Sequence, residues 1–290
     1  WEDMKESSLK GGDVTRDRGR CVCTSVLHRC PGSQPWGQCE PIMRLHPSDQ
    51  LKLKIMTPNF GVVFDAGSTH TSLFVYRWPA DKQNSTGVVS QALACQVKGP
   101  GISSYASDPA QAGESLQGCL EEALVIIPQA KHQETPAFLG ATAGMRLLSQ
   151  KNGSQATAIF AAVSQALGRS PLDFRGAELL TGQDEGAFGW ITINYVLGRL
   201  VQVPGLTGTL VGALDMGGAS TQITFVPRGP ILDESSQATF RLYGSEHRVY
   251  THSYLCFGHD QMLTRLLAQL VQVGLAVGKG GAAGQPLGLC

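Results

Sequence analysis

The sequence predicts an α/β fold made of two similar lobes, and three observations lead to this prediction. Runs typical of buried strands alternate with amphipathic helical segments through the middle of the chain. The segments VVFDAGSTHTSLFVY and GALDMGGASTQITFV both have the order strand, Asp, Gly, Ser or Thr, strand. Their aspartates, Asp65 and Asp215, lie 215 minus 65, or 150, residues apart, which is the length of a domain. Two lobes of like construction should therefore face each other across a cleft, where ligands usually bind.

Local patterns predict the individual elements. A turn containing Gly between two apolar runs predicts the first hairpin, and apolar residues at helical spacing from Leu116 to Ile127, stopped by Pro128, predict a helix. Gly168 is expected to end a later helix in the left-handed conformation. In chain order the predicted elements are strands at 60–65 and 71–78, a helix at 116–127, a strand at 137–141, a helix through 159–167, a strand ending at 179, a helix at 184–197, a hairpin at 210–226, further strand at 240–254 and a helix at 260–270.

The two ends of the chain differ from this patterned middle. Residues 1–57 carry scattered charges without a sustained period and are predicted to form a poorly ordered leader, and residues 273–290 form a Gly-rich tail. Residues 58–172 are assigned to the first lobe and residues 173–272 to the second. A zinc site in the leader is an alternative, although the cysteine spacing is not the paired Cys-X2-Cys of known zinc modules. The cysteines concerned are Cys21, Cys23, Cys30 and Cys39.

Composition excludes some classes of function and favours others. Lys plus Arg and Asp plus Glu both number 23, and charged residues make up 16% of the chain, so nucleic acid is not expected as a partner. A membrane helix needs about 18 apolar residues in a row. The nearest run, 266–277, is interrupted by Gln269 and Gln272, so no transmembrane segment is predicted. The eight cysteines and the Asn-X-Ser/Thr sites at Asn84 and Asn152 fit the secretory pathway, where disulfides and N-linked glycans form.

The two predicted hairpin turns have the composition of anion-binding loops. In each turn an aspartate ends a buried strand, glycines allow the backbone to approach a ligand, and hydroxyls and N–H groups follow. Ordinary hairpin turns also use Asp, Gly and Ser for backbone reasons, so one copy alone would be weak evidence. Two copies a domain apart favour a phosphate-binding function. The Walker pattern Gly-X4-Gly-Lys-Ser/Thr is absent from the sequence.

The segment at 178–198 (ELLTGQDEGAFGWITINYVLG) places carboxylates at the start of a predicted helix. The helix dipole favours acidic residues there, and capping is sufficient to explain Asp184. For Glu185 the functional interpretation is a general base, because a carboxylate near a phosphate site can accept the proton of an attacking water.

Four motifs in order carry a resemblance to a known family. They are DAGSTHTS (65–72), ATAGMRLL (141–148), ELLTGQDEGAFGWITINYVLG (178–198) and ALDMGGASTQITF (213–225). This set resembles the first four of five apyrase conserved regions of the ecto-nucleoside triphosphate diphosphohydrolase family, and the similarity extends from about residue 60 to about residue 271. The resemblance implies an actin-like (ribonuclease H-like) two-lobed fold. It also implies Mg²⁺- or Ca²⁺-dependent hydrolysis of the terminal phosphates of extracellular nucleoside tri- and diphosphates (ATP, ADP, UTP, UDP) to the monophosphate.

The resemblance also implies roles for individual residues. Glu185 becomes the catalytic base, and Asp65 and Asp215 become the holders of the water shell of the metal. Contacts to phosphates or to the attacking water are implied for Ser68, Thr69, His70, Thr142, Gly217, Gly218, Ala219, Ser220 and Gln222. For His70 a local hydrogen bond on the hairpin is an equal alternative. A sugar-kinase-like protein would also have the paired hairpins, but the TGQDEGAFGW segment of this chain argues against that alternative.

Charge independently favours a metal ion. Asp65, Glu185 and Asp215 would face a substrate that is itself negatively charged, and like charges a few ångströms apart repel strongly. A cation must therefore lie between them. Oxygen ligands with several retained waters suit Mg²⁺ or Ca²⁺ and not zinc.

The chain also departs from the family pattern. Family members have membrane helices at both ends, a fifth motif and a region of the second lobe that stacks the base; their absence here predicts an incomplete second lobe and a truncated or alternative form. A catalytically inert chain that at most binds metal-phosphate is therefore the alternative function. The resemblance pairs Cys95 with Cys119, and leaves Cys256 without its usual partner and Cys290 as a weak substitute. It places the family at the plasma membrane facing outward, and this chain in the secretory pathway, or retained there if misfolded. The sequence does not decide between a monomer and a homo-oligomer.

Overall fold

The computed structural model describes residues 58–79, 88–200 and 209–279, with backbone alone at 273–279 and in two short strands nearer the start of the chain. These two strands, β1 (Cys21–Cys23) and β2 (Val26–His28), pair antiparallel with Cys21 opposite His28. The other two cysteines of the zinc alternative and the Asn84 glycosylation site lie outside the described residues.

The first sheet has five strands in the order β5-β4-β3-β6-β7. They are β3 (Asn59–Ala66), β4 (Thr71–Trp78), β5 (Ser90–Gln96), β6 (Pro136–Ala141) and β7 (Asp173–Leu179). The predicted hairpin is confirmed, because β3 pairs antiparallel with β4 over its whole length. Strands β6 and β7 join parallel, so each requires a helical crossover.

Four helices supply these crossovers and cover the sheet. They are α1 (Pro109–Ser115), α2 (Gln117–Ile126), α3 (Ala143–Lys151) and α4 (Gly153–Gly168). Val62, Phe64, Leu139, Ile159 and Val163 have no exposed surface, so the apolar faces of strands and helices form one core. The expectation for Gly168 is wrong. It remains inside α4, and the capping Arg169 is right-handed.

The second sheet has four antiparallel strands in the order β10-β11-β9-β8. They are β8 (Ala213–Met216), β9 (Ser220–Phe225), β10 (Gln237–Leu242) and β11 (Ser245–Leu255). Helix α5 (Gly182–Val196) packs on this sheet and contributes the fully buried Trp190 to a second, smaller core. The run predicted as strand at 240–254 is a hairpin, because positive-φ residues Tyr243 and Gly244 form a turn within it.

The sequence repeat corresponds to a structural repeat. Asp65 lies opposite Ser72 in the first hairpin, and Asp215 lies opposite Gln222 in the second. Both pairs are offset by 150 residues, since 215 minus 65 equals 222 minus 72, so the two hairpins share one register. Strand β7 belongs to the first sheet and ends at Leu179, so this sheet extends beyond the expected lobe boundary at residue 172.

Two cysteines link an edge strand to a helix. Cys95 of β5 and Cys119 of α2 form a disulfide with a Cα–Cα distance of 5.7 Å, as the resemblance implies. Cys256 is disulfide-bonded as well.

Helix α6 (His259–Lys279) follows the second sheet. Its large apolar side chains between Met262 and Val271 are 41% to 61% exposed, so this face is bare in the structure. Neither α6 nor any other helix of the described residues is long and apolar enough to cross a membrane.

Candidate active site

The two hairpin aspartates come from different sheets and line one cavity. The surrounding protein partly removes the Asp65 carboxylate from water, which raises its pKa, and the negative charge of Asp215 raises this pKa further. Part of the Asp65 side chain still reaches solvent. The positive charge of His70 opposes both effects on this pKa. Burial also raises the pKa of Asp215. Two aspartates that repel each other in a confined space are an arrangement that a cation would relieve.

The two hairpin turns touch each other at Gly218. A Cβ atom at this position would lie 2.5 Å from Thr69 Cγ2 and 2.7 Å from Ser68 Oγ, so any larger residue would displace these two side chains. Gly144 has the same property toward the first turn, because its Cβ would lie 2.8 Å from Ser68 Cα. The glycines of the second and fourth motifs therefore permit close backbone approach around the predicted phosphate site.

Glu185 lies in the first turn of α5, between the two sheets. Thr181 is the N-cap of this helix: its Oγ1 accepts from Asp184 N at 3.1 Å and donates to Asp184 Oδ2 at 2.8 Å, so Asp184 takes part in capping by holding the Thr181 hydroxyl. The Glu185 side chain is 18% exposed, and its Oε2 accepts hydrogen bonds from Arg146 Nη2 at 2.7 Å and from Gln222 Nε2 at 3.1 Å. Its Oε1 accepts none from the described residues.

The pKa of Glu185 lies above its ordinary value although an arginine contacts it. Burial is the largest cause, and the negative charges of Asp215 and Asp65 add to it. The Arg146 charge and its hydrogen bond work in the opposite direction. A raised pKa moves a carboxylate toward the range in which a general base accepts a proton efficiently.

Gln222 is the buried centre of a hydrogen-bond cluster. Its Nε2 lies 2.7 Å from Ser220 Oγ and 2.9 Å from Ser253 Oγ, in addition to its contact with Glu185. Its Oε1 is buried and has no hydrogen-bond partner among the described residues. A buried amide oxygen without a donor is costly, so a ligand or water is expected to donate to it.

The remaining predicted residues surround this cluster to different degrees. Thr142 is buried at the end of β6, and its N–H donates to Ala66 O at 3.1 Å. Ala219 is buried in the second turn, and Gly217 donates to Ser220 O at 3.0 Å. His70 is exposed and lies 3.0 Å from Thr69 Oγ1 through its Nδ1, which is the local hydrogen bond of the alternative interpretation.

Sequence reasoning missed two residues of the site. Arg146 stands inside the quoted ATAGMRLL motif, but a single arginine on a helix gave no chemical pattern to interpret. Ser253 lies on β11, outside all four motifs, and no signal in the sequence indicates it.

A cavity of about 430 Å³ extends behind the carboxylates. Asp65, Glu185 and Asp215 line its polar end, and its apolar wall consists largely of Phe74, Tyr76, Phe188, Ile191 and Tyr195. Tyr195 Oη accepts from Val89 N at 2.8 Å and donates to Val89 O at 3.0 Å, which joins the end of α5 to the first lobe beside this wall.

The residues fit a hydrated divalent cation better than a tightly ligated metal. Among the described residues no three His, Cys, Asp or Glu side chains are grouped closely enough to hold a metal ion. Two aspartates leave most coordination positions to water, which is how Mg²⁺ usually binds.

The paired hairpins on two α/β sheets define the class as an actin-like two-lobed fold. The crystal structure of nucleoside triphosphate hydrolases from Neospora caninum has this fold, with a TM-score of 0.51 at 16% identity over 73% of this chain and 48% of that one. Sequence comparison then gives the family. A model of the GDA1/CD39 (nucleoside phosphatase) family matches residues 53–277, and the chain belongs to this family.

Curated relatives agree with the motif-based resemblance. The chain is 76% identical over 220 residues to ectonucleoside triphosphate diphosphohydrolase 8 of Bos taurus, covering 73% of this chain and 44% of that protein. It is 75% identical to the Homo sapiens protein of the same name and 53% identical to ectonucleoside triphosphate diphosphohydrolase 2 of Mus musculus. Residues 72–97 already resemble the type 8 proteins by sequence. The chain spans less than half the length of these relatives.

Proposed function

We propose that this protein hydrolyses the terminal phosphates of nucleoside tri- and diphosphates, with Mg²⁺ or Ca²⁺. The observation that carries the proposal is the position of Glu185 between the two facing hairpin turns that follow Asp65 and Asp215. One oxygen of its carboxylate accepts two hydrogen bonds, and the other accepts none from the described residues. The names of the relatives support this substrate class. Their description as ectonucleoside hydrolases also supports an extracellular or secretory location for this chain.

The attacking water would be held by two acceptors. Oε1 of Glu185 and Oε1 of Gln222 both lack a donor among the described residues, and a water molecule has two protons to donate. Glu185 would take one proton as the water attacks the terminal phosphorus, while Gln222 fixes the direction of attack. No covalent enzyme intermediate is needed.

The turns would bind the transferring phosphate. Ser68, Thr69, Thr142 and Ser220 can donate hydroxyl hydrogen bonds, and the backbone of Gly218 and Ala219 can donate N–H groups. The N–H of Gly217 already donates to Ser220 O, so Gly217 would contribute only by letting the phosphate approach closely. Asp65 and Asp215 would hold the water shell of the cation. Such an ion, when bound, supplies charge neutralisation and polarises the phosphoryl group.

Phosphate release by the purified chain tests the proposal. ATP, ADP, UTP and UDP are assayed with Mg²⁺, with Ca²⁺ and with EDTA, beside the Glu185→Gln variant. Metal-dependent release that the variant lacks is expected. Equal release by chain and variant would show that Glu185 is not the base.

A second candidate is a catalytically inert chain that at most binds metal-phosphate. The bare apolar face of α6 favours this candidate, because a face of this kind is normally covered in a fully packed lobe. It predicts that a nonhydrolysable nucleotide with Mg²⁺ raises the thermal midpoint of the chain while no phosphate is released from ATP. The two candidates are therefore separated by one binding and one turnover measurement.

A further inference from the structure

We propose that Arg146 is a positioning residue that fixes the orientation of the Glu185 carboxylate. Arg146 donates a hydrogen bond to one oxygen of this carboxylate and leaves the other oxygen free to accept a proton from the attacking water. The inference rests on the proposed function, in which Glu185 acts on water.

The contacts of Arg146 join three elements at one guanidinium group. Nη2 donates to Glu185 Oε2 at 2.7 Å and to Ser220 Oγ at 3.1 Å, while Nη1 donates to Leu180 O at 3.1 Å. Helix α5, strand β9 and the segment after β7 are thereby held together. A planar guanidinium has a rigid fork of donors, so these contacts fix its plane and, through it, the carboxylate.

Helix α3 connects this contact to the phosphate site. Arg146 N donates to Thr142 O at 3.1 Å, so Arg146 lies one helical turn beyond the predicted phosphate ligand Thr142. Between the two residues, Gly144 packs against Ser68 of the first turn. One rigid helix therefore sets the separation between the phosphate-binding turn and the base.

The two carboxylate oxygens of Glu185 differ in their hydrogen bonds. Arg146 and Gln222 both donate to Oε2, and none of the described residues donates to Oε1. Without Arg146 the carboxylate could rotate and present either oxygen, or turn away from the water. Misplacing a reacting group by about 1 Å costs on the order of 10²-fold in rate.

The Arg146–Glu185 pair also differs from an ordinary surface ion pair. Its side chains are 12% and 18% exposed. Arg175 and Asp173 are separated by the same 2.7 Å, but their side chains are 51% and 35% exposed. Arg175→Ala is therefore a matched control that removes an arginine from an ion pair of equal length outside the site.

Steady-state kinetics of Arg146→Ala, Arg146→Lys and Arg175→Ala test the proposal. Arg146→Ala should lower kcat by about 10²-fold with KM changed by less than about threefold, because the base and not the substrate has lost its support. Added guanidinium at sub-denaturing concentration should restore part of kcat in Arg146→Ala only. The kcat of Arg146→Lys should lie between those of the parent and Arg146→Ala, because lysine keeps the positive charge but lacks the planar set of guanidinium donors. Unchanged kcat in Arg146→Ala, or a loss confined to KM, would overturn the proposal.

A spectroscopic measurement keeps the test independent of turnover. The δ-carboxyl ¹³C signal of Glu185, assigned by its loss in Glu185→Gln, should move in Arg146→Ala and stay in Arg175→Ala. A Glu185 signal that does not respond to Arg146→Ala overturns the positioning role, whether or not the chain is active. Absence of phosphate release by the parent chain instead overturns the proposed function and leaves this result to decide on the contact.

Discussion

At the scale of single residues, the proposed chemistry depends on one carboxylate whose neighbour provides a control. Glu185→Gln keeps the shape of the side chain but removes its proton affinity, and positioned general bases contribute about 10²- to 10⁴-fold. We expect kcat to fall by that factor while nucleotide binding persists. Asp184→Asn, on the same helical turn, should retain most of the rate because Asp184 only caps α5. Equal losses in both variants would assign the effect to the helix instead of the base.

His247 makes a separate prediction about stability and pH. Burial lowers the pKa of His247, and a hydrogen bond with the backbone of Leu242 opposes this only in part. The folded protein therefore keeps His247 neutral at a pH where the unfolded chain, with a pKa of about 6.5, binds a proton. The contribution of His247 to stability therefore decreases as the pH falls below about 6.5, through the interval down to the folded pKa. In His247→Gln the thermal midpoint should depend less on pH over that interval, and an unchanged dependence would contradict the assignment.

At the scale of elements, the contact between the two turns is tested at Gly218. In Gly218→Ala the new Cβ would meet Ser68 Oγ at 2.7 Å, so the Ser68 side chain must shift from its position in the predicted phosphate site and turnover should fall. Gly118→Ala is the control, because nothing lies within 4 Å of its Cβ position in α2. That substitution should raise stability by about 0.5 to 1 kcal/mol and leave kcat unchanged. Wild-type turnover by Gly218→Ala would show that the turns need not touch.

The disulfide between β5 and α2 makes a second prediction at this scale. Cys95 and Cys119 are 24 positions apart, and closing a loop of that size contributes roughly 3 kcal/mol by chain entropy. A non-reduced digest of protein secreted from cells should contain the two peptides linked. Cys95→Ser should lower the free energy of unfolding by about that amount. Two free thiols in secreted protein would refute the bond.

Strongly patterned elements were predictable and short ones were not. Apolar periodicity together with Gly and Pro signals predicts the two hairpins that contain Asp65 and Asp215, and the helices α2, α4 and α5. Helix α1 has only seven residues, too few for two turns of apolar spacing, and β5 is an edge strand without clear alternation. The candidate site shows the same division. Residues inside long motifs could be proposed from sequence, whereas Ser253 is brought to Gln222 by β11 pairing with β9.

At the scale of the whole molecule, catalysis requires the two turns to be held at a fixed separation. Phosphoryl transfer depends mainly on positioning and electrostatic stabilisation, so any looseness between the lobes reduces the rate directly. The described contacts between the lobes include Arg146 with Glu185 and Tyr195 with Val89. Removing one of them should therefore lower metal-dependent phosphate release per mole of soluble monomer. Unchanged release after Tyr195→Phe, which loses both hydrogen bonds to Val89, would show that this contact is dispensable.

The bare face of α6 should govern the behaviour of the chain in solution. Leu263 and Leu267 are 56% and 53% exposed and lie on a helix with several further exposed apolar residues. Contiguous apolar surface of this kind favours self-association. Replacing both leucines with Gln should reduce concentration-dependent association in sedimentation velocity and leave the thermal midpoint nearly unchanged, because side chains already in water contribute little to folding. Leu139→Gln, at a fully buried position of β6, should instead lower the midpoint sharply. If the α6 double variant melted as early as Leu139→Gln, the α6 face would have to be buried in solution.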